Sequence, residues 1–332
     1  MTTFSETPPA QKQEQFAGFN QYCCIFTRND SGSSFLKMAD LKDISDSGGY
    51  DLICVLGPTA CGKTKFAVNL AKEIDGEILS ADSRQVYRGM DIGTGKDLSD
   101  YGDVPYHLID IVDAGTKYNI YEYQHDFEKA YRDVLQRGKK PVLCGGSGLY
   151  IEAATCGYYL PDVPPNPRLR SELEQFSDEE LILKYESIRK PHNTTDYDSR
   201  KRLIRALEIA IYEDQHPVHR TAFLPKKTRY IGISVSREVR NARIDARLRA
   251  RLDEGMVDEV KRLLESGIPP EDLLYYGLEY KFVTMYLTGG LSYDEMVVRL
   301  ETAIHQFAKR QMTWFRGMER RGIEIEWIDG NN

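Results

Sequence analysis

LICVLGPTACGKT, residues 52–64, decides the fold. Its first five residues form a continuous apolar run, the pattern of a strand buried on both faces of a parallel sheet. The next eight, Gly57-Pro58-Thr59-Ala60-Cys61-Gly62-Lys63-Thr64, satisfy G-x-x-x-x-G-K-[ST]. An amphipathic run predicted helical over 63–74 follows, and strand, glycine turn and helix in that order give the motif its meaning. The glycines let backbone N–H groups turn inward around a phosphate. The helix N-terminus adds its dipole, Lys63 adds a cation, and the Thr64 hydroxyl can ligate Mg2+. A bound di- or triphosphate is implied, but not which bond breaks. ATP and GTP are the commonest ligands of such loops, so phosphoryl transfer is the starting expectation.

Outward from the loop, a second strand at 77–80 leads into ADSRQVY (81–87), and a polar loop runs through 93–103. Asn119 is placed to cap a helix over 120–137 that stops at Gly138. A third strand at 141–144 enters the turn GGSG (145–148). This alternation predicts an α/β fold of the P-loop NTPase type, a parallel sheet with helices on its faces. The rhythm changes at 157–224, where prolines (Pro161, Pro164, Pro165, Pro167), a helical patch at 178–189 and a basic helix at 199–212 read as a small helical insertion. A strand returns at 230–235, helices are expected at 237–253, 255–266 and 293–316, and a last strand at 324–328. The catalytic core is therefore expected over 50–156 and 225–332. Residues 1–49 are polar and without period and read as a poorly ordered extension, with Met38 as the native start.

Nothing in the 332 residues reaches eighteen consecutive apolar positions, so no membrane span is expected. The N-terminus lacks a basic-then-apolar signal. The six cysteines form no C-x-x-C pair, the usage of reduced thiols in the cytoplasm. Net charge is −7, but it is unevenly spread. Between Arg189 and Arg251, sixteen Lys and Arg face seven Asp and Glu, so this segment carries +9 and the remainder −16. One basic face on an acidic body can hold a polyanion, because the attraction is local; a salt-bridged helix surface would look the same.

Asp82 follows the second strand, at the carboxyl edge where ligands of open α/β sheets bind. Its position alone fits a magnesium partner, a general base or a helix N-cap equally well.

Six motifs in order, GPTACGKT, SADSRQVYRGMDIGTGK, HLIDI, GGSGLYI, SRKRLIRALEI and AKRQMTWFR, resemble the tRNA dimethylallyltransferase family over residues 50–330. The resemblance implies a P-loop (Gly57–Thr64) gripping the diphosphate of dimethylallyl diphosphate, and transfer of the five-carbon group to the exocyclic amine of the adenosine 3′ of the anticodon. It implies Asp82 as the base, Thr59 as a contact of the diphosphate or reacting centre, and Mg2+ on Thr64. In the R-I-x-x-R segment Arg243 and Arg247 share a helix face, and Arg247 is implied to clamp pyrophosphate. Contacts to the tRNA anticodon stem-loop are implied for Asp82, Ser83, Arg84, Gln85, Ser147, Arg170 and Lys201, Arg202, Leu203, Ile204 and Arg205, with the base extruded to reach Asp82. A cytoplasmic monomer is expected.

The sequence departs from the family at four places. Ser147 stands for a more usual threonine and Cys61 for a serine. Tyr276-Gly277-Leu278-Glu279 lacks the aromatic and the cation of a Gly-Tyr-Lys-Glu-like segment, and the stretch at 184–198 is short. Trp314 and Phe315 are read as core residues, and His107, His125 and His305 as solvated or packed. Three other functions remain open: adenylate dimethylallyltransferase, a P-loop small-molecule kinase, and a non-catalytic RNA-binding P-loop protein.

Overall fold

The computed structural model describes residues 49–189, 199–216, 223–225 and 227–331. The expected extension over 1–48 and most of the shortened stretch at 184–198 lie outside the described residues. In chain order the elements are β1 (Leu52–Leu56), α1 (Lys63–Glu73), β2 (Gly76–Ser80), β3 (Tyr87–Arg88), β4 (Tyr106–His107), β5 (Val112–Asp113), α2 (Ile120–Gln136), β6 (Lys140–Gly145) and α3 (Gly148–Thr155). There follow α4 (Pro167–Leu173), α5 (Asp178–Ile188) and α6 (Arg200–Gln215). Then come β7 (Thr228–Ser234), α7 (Arg237–Asp253), α8 (Met256–Glu265), α9 (Pro270–Leu273), α10 (Leu278–Leu287), α11 (Tyr293–Arg320) and β8 (Ile325–Asp329).

Six strands pair in parallel in the order β4-β2-β6-β1-β7-β8. β1 lies inside this sheet, with Val55 opposite both Cys144 and Ile231. Strand side chains alternate, so the continuous apolar run divides between two cores. Ile53 and Val55 pack with Phe66 and Leu70 of α1, while Cys54 and Leu56 pack with Phe127 of α2 and Phe315 of α11. Both faces of the strand are dry, which is why it shows no polar alternation. β3 and β5 form a separate two-stranded ribbon.

Local sequence explains the helix starts. The Asn119 side chain accepts from the N–H groups of Tyr121 and Glu122, and Glu122 accepts from the N–H of Asn119. Ser292 and Glu295 repeat the device at α11, Ser177 and Glu180 at α5. Helices α4, α5 and α6 pack on one another around Leu173, Leu181, Tyr185, Leu203, Ile204 and Leu207.

Four helices were not expected. In α3 every residue from Tyr150 to Thr155 is buried, so no apolar face stands out against a polar one. The apolar sequence of α10, LEYKFVTMYL, hides its period in the same way. α4 and α9 are short and begin at prolines.

Candidate active site

The elements converge on one cavity of about 640 Å³ at the carboxyl edge of the sheet. Thr59, Ala60, Lys63 and Thr64 line one side of it, and Asp82, Ser83, Arg84 and Gln85 another. Gly145 to Tyr150 follow from β6, Ile244, Arg247, Leu248 and Arg251 from α7, and Phe307, Arg310, Gln311 and Trp314 from α11.

The P-loop is a tightly turned segment. Ala60 and Gly62 both take positive φ, 61° and 91°. Gly62 precedes α1 with no side chain capping the helix, and the first helical residues, Lys63 and Thr64, line the cavity. The Lys63 ammonium lies 3.3 Å from the Pro58 carbonyl, folded back along its own loop. Gly57 is packed beneath it: a Cβ there would come within 2.6 Å of the Ile233 carbonyl oxygen. Cys61 is buried, and burial raises its thiol pKa above the ordinary value. Burial pushes Cys144 up to about 12. These are inert thiols, and Cys54, Cys61, Cys144 and Cys156 are all unbridged.

The ADSR segment is held from several directions. Asp82 Oδ1 accepts from the Arg84 N–H at 2.9 Å, and the Ser80 hydroxyl accepts from the Asp82 N–H at 3.3 Å. Ser147 Oγ accepts from the Ser83 N–H at 3.1 Å and donates to Ser83 Oγ at 3.3 Å. The hydroxyl at position 147 therefore ties the ADSR turn to the GGSG turn. Gln85 Nε2 donates to the Gly95 carbonyl at 3.2 Å. Asp82 is thus on the cavity wall with the P-loop side chains, with one carboxylate oxygen engaged by its own backbone.

Sequence reasoning missed the residues that hold this arrangement. Gln311 of α11 accepts from the Thr59 N–H at 2.8 Å and donates to the Gly146 carbonyl at 2.9 Å. It is a polar residue on a helix face otherwise made of Ala308, Phe315 and Met318, and that break in the apolar stripe was a legible signal. Glu259 of α8 is buried and accepts from the N–H groups of Asp91, Ile92 and Gly93 and from the Tyr280 hydroxyl. It pins the loop that carries Gly95. Buried Lys96 donates to Asp91 at 2.9 Å, to Asp110 and to the Tyr87 carbonyl. Tyr280 and Lys281 supply an aromatic and a cation just past the segment that lacked them, and Lys281 lines the cavity with Glu279.

The arginine pair on α7 divides. Arg243 donates to the Gly330 carbonyl at 3.2 Å, whereas Arg247 lines the cavity and pairs with Asp97 at 2.5 Å. Trp314 is not core. It is 40% exposed at the cavity wall, packed on Gly148, and donates its indole N–H to buried Glu152 at 2.8 Å. Phe315 is fully buried. His107 pairs with Glu77 at 2.6 Å and His305 with Asp245 at 2.7 Å, both away from the cavity lining.

The basic helix also needs correction. Leu203 and Ile204 of α6 are buried in the small helical core, so their side chains have no surface to offer a nucleic acid. Arg170 makes two bonds to buried Glu208, at 3.0 and 2.7 Å. Arg205 donates to the same carboxylate and, at 2.8 Å, to the Val163 carbonyl. Lys201 and Arg202 are exposed. Among the described residues no helix is long and apolar enough to cross a membrane.

Comparison with known proteins finds relatives along most of the chain. The IPP transferase family model matches residues 85–318, and the Isopentenyl transferase model residues 50–101. The tRNA dimethylallyltransferase 2 of Porphyromonas gingivalis is 61% identical over 282 residues, which cover 84% of this chain and 93% of that protein. The tRNA dimethylallyltransferase 1 of Parabacteroides distasonis is 58% identical over 284 residues, 84% of this chain and 92% of its own. The crystal structure of full-length tRNA isopentenylpyrophosphate transferase from Bacillus halodurans superimposes with a TM-score of 0.63 at 34% identity, covering 85% of this chain and 91% of that one. On the family match, the identity along most of the chain and the shared fold, the chain belongs to the IPP transferase family.

Proposed function

We propose that the protein transfers the dimethylallyl group of dimethylallyl diphosphate to the exocyclic amine of the adenosine 3′ of the anticodon in tRNA, releasing pyrophosphate. The observation that carries this reading is that Asp82 and the P-loop residues Thr59, Lys63 and Thr64 face one cavity. The allylic carbon–oxygen bond breaks, a carbon–nitrogen bond forms, and the amine proton passes to the Asp82 carboxylate. An aromatic amine is a weak nucleophile because its lone pair is spread into the ring, so a base that accepts the proton during attack lowers the barrier. Lys63, the P-loop amides and Arg247 take up the charge that grows on the departing diphosphate. Trp314 and Tyr275, exposed beside Arg84 and Arg310, offer flat faces for bases of a single-stranded loop.

Magnesium fits this donor set as an ion that the Thr64 hydroxyl would hold beside the diphosphate. Among the described residues no group of three His, Cys, Asp or Glu could cage a metal, so the chain would supply Thr64 and the substrate the remaining oxygens. Bound there, it would supply charge neutralisation on the diphosphate. We read the protein as a cytoplasmic monomer that docks the anticodon stem-loop across the exposed basic residues of α6.

The test is incubation with labelled dimethylallyl diphosphate and either unmodified tRNA or AMP. Label in tRNA alone supports the proposal. Label in AMP would make the protein an adenylate dimethylallyltransferase. ATP turnover without prenyl transfer would make it a kinase, and RNA binding without any turnover a non-catalytic binder.

A further inference from the structure

Arg251 sits one helical turn beyond Arg247 on α7 and lines the same cavity as Lys63. The two guanidiniums converge on Gly95. A Cβ at that position would lie 1.8 Å from Arg251 Nη2 and 2.7 Å from Arg247 Nη2, so glycine alone leaves room for both. Their surroundings differ. Arg247 is engaged by Asp97 and by the Gly95 carbonyl. Arg251 makes no hydrogen bond or ion pair among the described residues, although Glu279 stands in the same cavity wall.

Two like charges side by side in a half-enclosed site repel, and only an anion between them relieves the cost. The cost is visible in the electrostatics: burial first, then Arg247, push the Arg251 pKa down to about 10. The group remains charged at neutral pH. Burial likewise raises Glu279, with Arg251 acting against it. The cavity lining is short of negative charge, with Lys63, Arg84, Arg247, Arg251, Lys281 and Arg310 against Asp82 and Glu279, and its opposite wall is a phosphate loop.

We propose that Arg251 is a second anion-binding arginine of this site, gripping the allylic diphosphate and the pyrophosphate product together with Arg247. The inference rests on the reading of the cavity as a diphosphate site. A planar guanidinium suits this task because it presents two parallel donors to a phosphate.

The test measures binding of inorganic pyrophosphate to the full chain, with and without Mg2+, and steady-state constants for both substrates. Arg251→Gln is expected to weaken pyrophosphate binding and raise KM for dimethylallyl diphosphate by about tenfold or more. KM for tRNA should stay within about twofold of wild type. Arg251→Lys should recover part of the loss. Glu279→Gln, which removes the competing carboxylate, should change pyrophosphate affinity in the opposite direction and tighten it. A purely structural role for Arg251 does not produce opposite signs, and the Glu279 variant answers the question even if Arg251→Gln fails to fold. A rise in KM confined to tRNA would overturn the proposal in favour of an RNA phosphate, as would pyrophosphate affinity unchanged in both variants. Failure of wild-type protein to bind pyrophosphate would instead overturn the functional reading beneath it.

Discussion

Gln311 and Thr59 lie 252 residues apart in sequence and meet across a 2.8 Å hydrogen bond. The same Gln311 side chain reaches the Gly146 carbonyl, so one amide joins the P-loop, the turn after β6 and α11. Its oxygen accepts and its nitrogen donates, so each end of the amide meets a partner of the opposite kind. We expect Gln311→Ala to leave a buried N–H and a C=O unpaired, costing about 1–3 kcal/mol in chemical denaturation. It should also lower kcat/KM at least about tenfold by loosening the phosphate loop. Retention of both quantities would show that the loop holds its shape without the bridge.

Asp82→Asn keeps an oxygen to accept from the Arg84 N–H while removing the charge that takes up a proton. Turnover should fall by about 10²–10⁴, the usual contribution of a positioned base. Affinity for tRNA, measured by filter binding, should stay within about threefold. Near-normal single-turnover rates would remove Asp82 from the chemistry.

The exposed cations of α6 should behave differently from the less exposed Arg205. Replacing Lys201 and Arg202 with Ala is expected to weaken tRNA binding and reduce its slope against log salt by about one to two units. Arg205→Ala should act mainly on stability, since its guanidinium spans Glu208 and the Val163 carbonyl. Equal salt slopes for wild type and the double variant would place the tRNA elsewhere.

Glu208 gives the helical insertion a pH signature. Burial raises its pKa, but hydrogen bonds from Arg170, the Asn166 N–H and Arg205 outweigh this and hold it below the ordinary value. A depressed folded-state pKa contributes stability above the unfolded carboxylate pKa, and this contribution is lost as pH falls through the folded one. Thermal unfolding of the wild type should therefore weaken below about pH 4 to 5 more steeply than that of Glu208→Gln. The variant itself should cost about 2–3 kcal/mol at neutral pH, because two arginines lose their shared carboxylate. Parallel acid profiles for the two proteins would refute the assignment.

Gly148 and Trp314 are in direct contact: a Cβ at 148 would lie 2.2 Å from the indole ring. Gly148→Ala should displace the ring toward solvent and red-shift its fluorescence. The chain has two tryptophans, so a Trp327→Phe background isolates the signal. An unshifted spectrum would mean the ring yields without leaving its place.

Much of this protein was legible in one dimension. The dry strand, the glycine loop and the amphipathic helix behind it carry their pattern locally, and β1 spans the residues that pattern marks. Asn119 announced α2 because a cap acts within four residues. The helices that escaped notice, α3 and α10, are buried on several sides, where a hydrophobic period has nothing to contrast with. Along α6, charge density left open both a polyanion-binding face and a salt-bridged helix surface. Packing divides it into exposed Lys201 and Arg202, a buried Leu203–Ile204 pair, and arginines already spent on Glu208.

Alone, the sequence determined that a phosphate loop follows a buried strand, because backbone geometry there depends on neighbours a few residues away. Only the tertiary structure decided which distant groups close the cavity: Gln311 on Thr59, Glu259 under the 91–93 loop, Arg251 over Gly95. Their partners are more than a hundred residues off, and a hydrogen bond or a buried charge is set by which atoms the sheet and helices bring within about 3 Å, a distance that no local pattern encodes.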